Sequence, residues 1–296
     1  MSSPAPGTAR SSAGGPVITG PAAVMLKASA VLAVLVALAV GVFALFQSRR
    51  HAQERFNDIQ VTLAPGVSLQ SLPWNDNLPR SGAEQFAILP SGNLVVRAGG
   101  RLYDFSDGSP LVSGTDIVQS FALVKGALAV ITSNGRLGYV GDQSISDVGA
   151  APQDTTAIAS TSGGDELFLL NGNALSSLSD DGMVHALVAS PEAISAVGGD
   201  RERHVFSVGN SLFLQSGAGR PVMLIDFPDQ RILGVALDGD RIYCSTPRGI
   251  YQVRGALMVP LALGVAGELL PASDGLFVLN AENSRLYRLV FEKPGQ

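Results

Sequence analysis

The chain has 296 residues, 46% of them hydrophobic and 15% charged, with a formal net charge of −5. From residue 51 onward all 25 acidic residues stand against 16 Lys and Arg, a balance of −9, so this part lacks the basic footprint that a phosphate backbone requires, and no nucleic-acid partner is expected. The single cysteine, Cys244, excludes an intrachain disulfide and, inside an apolar run, reads as a small core residue.

Residues 1–22, rich in Ser, Pro, Gly and Ala, have too few large apolar groups to offset the entropy of ordering and are expected to be a disordered tail. Within the membrane segment at 23–46, residues 28–46 (ASAVLAVLVALAVGVFALF) are 19 consecutive uncharged positions, long enough as a helix to span about 30 Å of hydrocarbon. The run is longer than a signal-peptide core and ends in QSRRH instead of a small-residue cleavage site, so an uncleaved single-pass anchor is expected. The cations flanking it favour a cytoplasmic C-terminal part. A short tail before one span and a large domain after it favours the opposite, a signal anchor that places the domain on the periplasmic side of a bacterial inner membrane. The second arrangement is the expectation adopted. Ala33, Ala37 and Gly41 fall four apart on one helical face, a spacing compatible with self-association. Residues 47–57 read as a charged stalk.

After that, one unit recurs: an apolar run, a short Gly/Asn turn and a second apolar run. It appears as NLVVRAGGRLYDF (93–105), ALAVITSNGRLGYV (127–140), ELFLLNGNALSSL (166–178), HVFSVGNSLFLQ (204–215), RIYCSTPRGIYQV (241–253) and GLFVLNAENSRLYRL (275–289). The leading apolar residue of the second run falls at Leu102, Leu137, Leu175, Leu212, Ile250 and Leu286, at intervals of 35, 38, 37, 38 and 36 residues. A further apolar segment precedes each unit and a variable one follows most of them, which makes four strands per repeat. Runs such as LFLL and LFVL must bury both faces. An all-β, six-bladed propeller over 58–291 satisfies this, because each sheet is covered by its two neighbours. A β-sandwich with regular hairpins is the competing architecture. The sixth repeat ends without a fourth strand, and Asp58–Leu63 (DIQVTL) is expected to supply it; residues 65–82, with Trp74, read as a long irregular loop, and 292–296 as a C-terminal tail.

GDRIYCST and SDGLFVLN resemble the glycine turn and strand of six-bladed propellers of the NHL, SMP-30 and TolB-like kind. The resemblance covers 58–291 and carries no activity by itself. Similarity to the SMP-30-like sugar lactonases implies a Glu/Asn/Asp calcium site at the centre of the ring; Glu84 with Asn210 or Asn280 are possible members, with no pattern that joins them.

No G-x-S-x-G, H-E-x-x-H, P-loop or EF-hand pattern is present, and His51, His185 and His204 are not paired at ligand spacing. No catalytic residue, metal ligand or cofactor is therefore assigned. The segments leading from one blade to the next each carry an acid, Glu84, Asp116, Asp154, Glu192, Asp229 and Glu268, which a propeller would gather as a ring at one channel mouth. The loops are short, whereas catalytic groups commonly sit on long ones. The expectation is thus a membrane-anchored, non-catalytic binding or scaffolding module with a protein partner in a membrane or envelope complex. The alternatives are a metal-dependent hydrolase similar to the lactonases and a small-ligand sensor.

Overall fold

A computed structural model describes residues 61–292 apart from 80–82, 153, 162–163 and 180. The chain divides into two units, Met1–Ile59 and Gln60–Gln296, and the described residues fall in the second. The expected tail, membrane segment and stalk, with Ala33, Ala37, Gly41 and His51, lie outside them. Among the described residues no helix is long and apolar enough to cross a membrane.

Two strands, β1 (Thr62–Leu63) and β2 (Val67–Leu72), precede the repeats. Blade 1 holds β3 (Ala83–Ile88), β4 (Leu94–Ala98) and β5 (Arg101–Asp104). Blade 2 holds β6 (Val118–Val124), β7 (Ala127–Thr132), β8 (Arg136–Gly141) and β9 (Ser144–Ala150). Blade 3 is β10 (Ala157–Ser160), β11 (Leu167–Asn171), β12 (Ala174–Leu178) and β13 (Val184–Ala189), and blade 4 is β14 (Ile194–Gly199), β15 (Arg203–Val208), β16 (Ser211–Ser216) and β17 (Val222–Asp226). Blade 5 comprises β18 (Gly234–Asp238), β19 (Arg241–Thr246), β20 (Gly249–Arg254) and β21 (Leu257–Leu263); β22 (Glu268–Ala272), β23 (Gly275–Asn280) and β24 (Arg285–Phe291) begin blade 6. Each blade is an antiparallel meander, and first strands of neighbouring blades pack against one another around the axis. The described residues form an all-β six-bladed propeller.

The repeat-marking residues explain why the ring holds. None of the six is more than 5% exposed. Leu102 packs with Phe121 and Val130 between blades 1 and 2, and Leu137 with Ile158 and Leu169 between 2 and 3. Leu175 meets Ile194 and Phe206, Leu212 meets Val235 and Cys244, and Ile250 meets Leu269 and Leu276. Leu286 completes the circuit against Phe86 and Val96 of blade 1. Each marker therefore enters the cluster shared with the following blade, and truncating one to alanine would cost about 2–5 kcal/mol.

Closure differs from the expectation. The strand that completes blade 6 is β2, paired with β24 from Val67↔Phe291 to Leu72↔Leu286. Thr62 and Leu63 instead pair with Leu263 and Ala262 as a fifth strand on blade 5. The alternating segment 67–72 (VSLQSL) places Val67 and Leu69 against the core between blades 5 and 6 and Leu72 against that between blades 6 and 1. A sixth-blade partner needs that length, and a two-residue pairing does not supply it. In residues 73–79 of the expected loop, Trp74 meets Phe105 edge-on at 5.5 Å, and Leu78 is buried.

Candidate functional site

The strand register stacks equivalent residues of the six blades into one layer. Reading inward from the markers, the second strands contribute Arg97, Ile131, Leu170, Ser207, Ser245 and Leu279. The first strands contribute Gln85, Ser120, Ala157, Ala196, Gly234 and Glu268. Blade 3 is wholly apolar at this level, whereas blades 6 and 1 place Glu268, Gln85 and Arg97 there. The layer lies where the first strands begin, at the channel mouth.

First strands have no strand on their axial side, so their backbone groups need other partners. Side chains supply them. Gln85 Nε2 donates to the carbonyl oxygens of Phe121 (2.6 Å) and Ile158 (3.2 Å), and its Oε1 accepts from the Phe121 N–H (3.0 Å). Ser120 Oγ accepts from the Ile158 N–H (3.0 Å), and Ser245 Oγ accepts from the Gly267 N–H (3.0 Å). Gly234 allows blades 5 and 6 to approach here: a Cβ at that position would lie 2.7 Å from the Gly267 carbonyl oxygen and 2.9 Å from Glu268 Cα.

In blades 1, 2 and 4 the first strand bulges at its start, so that Glu84, Gln119 and Ser195 are extra residues with exposed side chains. Glu84 pairs with the Arg97 guanidinium, whose side chain is 14% exposed against 50% for Glu84. Arg97 Nη1 also reaches the Val118 carbonyl at 3.5 Å, while its Nε is buried without a hydrogen-bond partner. Glu268 faces this pair from blade 6. Burial raises its carboxyl to about 8, against the lowering effects of Arg97 and of the Phe86 backbone N–H that donates to it. Glu268 Oε2 is buried and has no partner. Of the expected ring, Glu84 thus pairs with Arg97, and Glu268 on the neighbouring blade lies within the electrostatic influence of the same arginine. Asp116, Asp154, Glu192 and Asp229 are exposed in the segments before β6, β10, β14 and β18. Arg97, Gln85 and Ser120 were not singled out in the sequence; the strand pairing shows Arg97 as a cation at a position that otherwise holds Ile, Leu or Ser, and because turn lengths differ between repeats the sequence alone does not line these residues up.

The calcium site implied by the lactonase resemblance does not fit these residues. Among the described residues no group of three or more His, Cys, Asp or Glu is placed to hold a metal ion. Glu84 is engaged by a guanidinium that already supplies positive charge, Asn210 Nδ2 donates to the Pro228 carbonyl (3.4 Å), and Asn280 Oδ1 accepts from the Asn283 N–H (3.2 Å). His204 is buried edge-on to Phe168 at 5.2 Å, and its burial lowers its basicity. His185 Nε2 meets Ser179 Oγ at 3.3 Å. Cys244 is a buried free thiol pushed up to about 12 by burial, too basic to act as a thiolate at neutral pH.

No family model and no curated protein matches the sequence. Among solved structures, the chain is similar to a gluconolactonase from Xanthomonas campestris, with 12% identity, a TM-score of 0.60, and coverage of 77% of this chain and 91% of that one. A second similar structure, also described as a gluconolactonase, has 13% identity and a TM-score of 0.58 over 77% of this chain and 93% of its own. A third, from Thermus thermophilus and described as an oxidoreductase (glucose dehydrogenase), has 13% identity and a TM-score of 0.53 over 76% of this chain and 100% of its own. The chain has the fold of these gluconolactonase-like six-bladed propellers. The expectation of a non-catalytic scaffold is corrected by these three findings, which fit the enzymatic alternative better, since these three propellers are described as gluconolactonases and a glucose dehydrogenase. Its premise was that chemistry needs long loops; here the polar groups stand on Glu84 and Glu268 of first strands and Arg97 of a second strand, where loop length is irrelevant.

Proposed function

We propose that this propeller is a small-molecule hydrolase of the lactonase type, working at the mouth formed by blades 6 and 1. The observation that carries the reading is the grouping of Glu84, Arg97 and Glu268, with a buried carboxyl oxygen and a buried guanidinium N–H left unpartnered. The likeness to propellers described as gluconolactonases supports the substrate class.

Each side chain has a role suited to its environment. The half-exposed Glu84 carboxylate accepts a proton from the attacking water as the new C–O bond forms. Arg97 stabilises the oxyanion that develops on the lactone carbonyl. Glu268, neutral below about pH 8, delivers its proton to the ring oxygen as the old C–O bond breaks, and solvent then restores both groups. Proton release from δ-gluconolactone and a panel of other lactones and esters, followed in a pH-stat with the purified full chain, tests this. Turnover should fall about 100-fold or more in Arg97→Met and Glu268→Gln; no enzyme-dependent hydrolysis across the panel would reject the reading.

A second part of the proposal concerns placement: residues 28–46 anchor the chain in the inner membrane with the propeller on the exported side. The uncharged 19-residue run supports it. Alkaline phosphatase fused after the propeller should be active in cells, and an inactive but expressed fusion would refute the exported arrangement.

A further inference from the structure

Exposed apolar side chains are concentrated on one part of the propeller. Of the nine large hydrophobic residues that are exposed among the described residues, six form three pairs: Met183 with Val184, Val222 with Met223 and Leu257 with Met258. Each pair stands at the start of a fourth strand, β13, β17 or β21, in three consecutive blades. In every meander the first strand runs away from the mouth and the fourth returns towards it, so the three pairs lie on the rim of the opposite face. β1 covers only the Ala262 and Leu263 end of β21 and leaves Leu257 and Met258 on an open edge. Blades 2 and 6 carry an exposed serine beside a half-buried apolar residue at this place, Ser144 with Ile145 and Ser68 with Val67. Exposed apolar pairs on sheet edges invite contact, and proteins ordinarily blunt them.

We propose that this rim of blades 3, 4 and 5 docks on the surface of an anionic lipid bilayer, with the three apolar pairs entering between the headgroups. The pairs stand at one level of one face, so a flat fluid surface meets all three at once. The chain itself brings such a surface near. Only 14 residues, 47–60, separate the uncharged run at 28–46 from Val61, and the strand that follows lies on blade 5. Fully extended they reach at most about 48 Å, whereas the seven-residue β21 is about 24 Å long, so a bilayer holding the run is within reach of its Leu257 end. Arg220 and Arg254, both exposed, stand two and three residues before the blade 4 and blade 5 pairs and suit acidic headgroups; beside the blade 3 pair, Asp181 leaves the contact apolar. Docked in this way, the propeller turns its mouth towards solution. The proposal goes beyond the hydrolase reading and rests only on the placement of residues 28–46 in a bilayer.

Fluorescence of the full chain in nanodiscs of phosphatidylcholine and phosphatidylglycerol, one chain per disc, tests this. Cys244 is buried, so a nitrobenzoxadiazole label goes to the thiol introduced by Met223→Cys or Leu257→Cys, with Asp229→Cys on the mouth side as the control. A spin-labelled lipid should quench the labels at 223 and 257 about twofold or more and leave the label at 229 unchanged. Adding Val222→Asp and Met258→Asp keeps the fold, because both side chains are exposed, and should abolish quenching at 257. Equal quenching at all three positions, no quenching at 223 and 257, or unchanged quenching after the two aspartate substitutions would each overturn the docking. Labels shielded from iodide only when a disc holds two chains would assign the rim to a second copy and overturn it as well. A chain that fails to enter the discs rejects the placement and the docking together, whereas incorporation without lipid quenching rejects the docking alone.

Discussion

Glu268 shows what one buried carboxyl does to the stability of the ring. Its folded-state value, raised to about 8 from an ordinary 4.5, means that the native protein holds a proton the unfolded chain has released. The sign follows directly. Stability from this group is fully present below about pH 4.5, falls as pH rises towards about 8, and changes no further above it. Glu268→Gln removes the ionisation while keeping shape and a donor. The melting temperature of the variant relative to wild type should therefore climb between pH 5 and 8 and then level off; a constant difference across that range would show that Glu268 titrates normally. The Cys244 thiol is raised by burial in the same way, stays neutral between pH 5 and 8, and contributes only packing between blades 4 and 5 over that range.

At the scale of the element, closure is the decisive feature. In the β2–β24 ladder Glu292 N–H donates to the Gly66 carbonyl at 2.8 Å, which by alternation makes Ser68 and Gln70 hydrogen-bonded positions. Gln70 has an exposed side chain, so replacing it with proline removes a ladder bond without opening the core. In β1, Ala64 N–H donates to Leu261, so Thr62 is the corresponding position. Gln70→Pro should lower the thermal midpoint by about 5 °C or more, and Thr62→Pro by less than half of that, because β2 joins the two ends of the ring while β1 only lengthens a complete blade. Equal losses in thermal unfolding would mean that both strands share the closing role. Elsewhere, polar clamps assist: Arg203 binds Asp240 at 2.7 Å and the Gly239 carbonyl at 2.9 Å, tying blade 4 to blade 5.

At the scale of the whole molecule, pattern and place separate. The repeat period, the paired apolar runs and the marker residues were legible because they answer to local rules: a sheet covered on both faces must be apolar at successive positions, and a ring of equal blades must space its contacts equally. The acids Glu84 and Glu268 were legible as members of a set. Their unequal fates were not, since a bulge exposes Glu84 while Glu268 keeps one carboxyl oxygen buried. The closing strand was misplaced for a related reason. Both 58–63 and 67–72 alternate, and the choice between them is made by whichever fills the gap beside β24.

By itself, then, the sequence determined an all-β propeller of six blades and the residue that packs each blade onto the next, because periodicity is a property of neighbours along the chain. Only the tertiary structure decided that Arg97 and Glu268 share one mouth and that a buried carboxyl is left with a free oxygen. Those two residues stand in the first and last blades, and ring closure, which no local pattern encodes, is what brings them together.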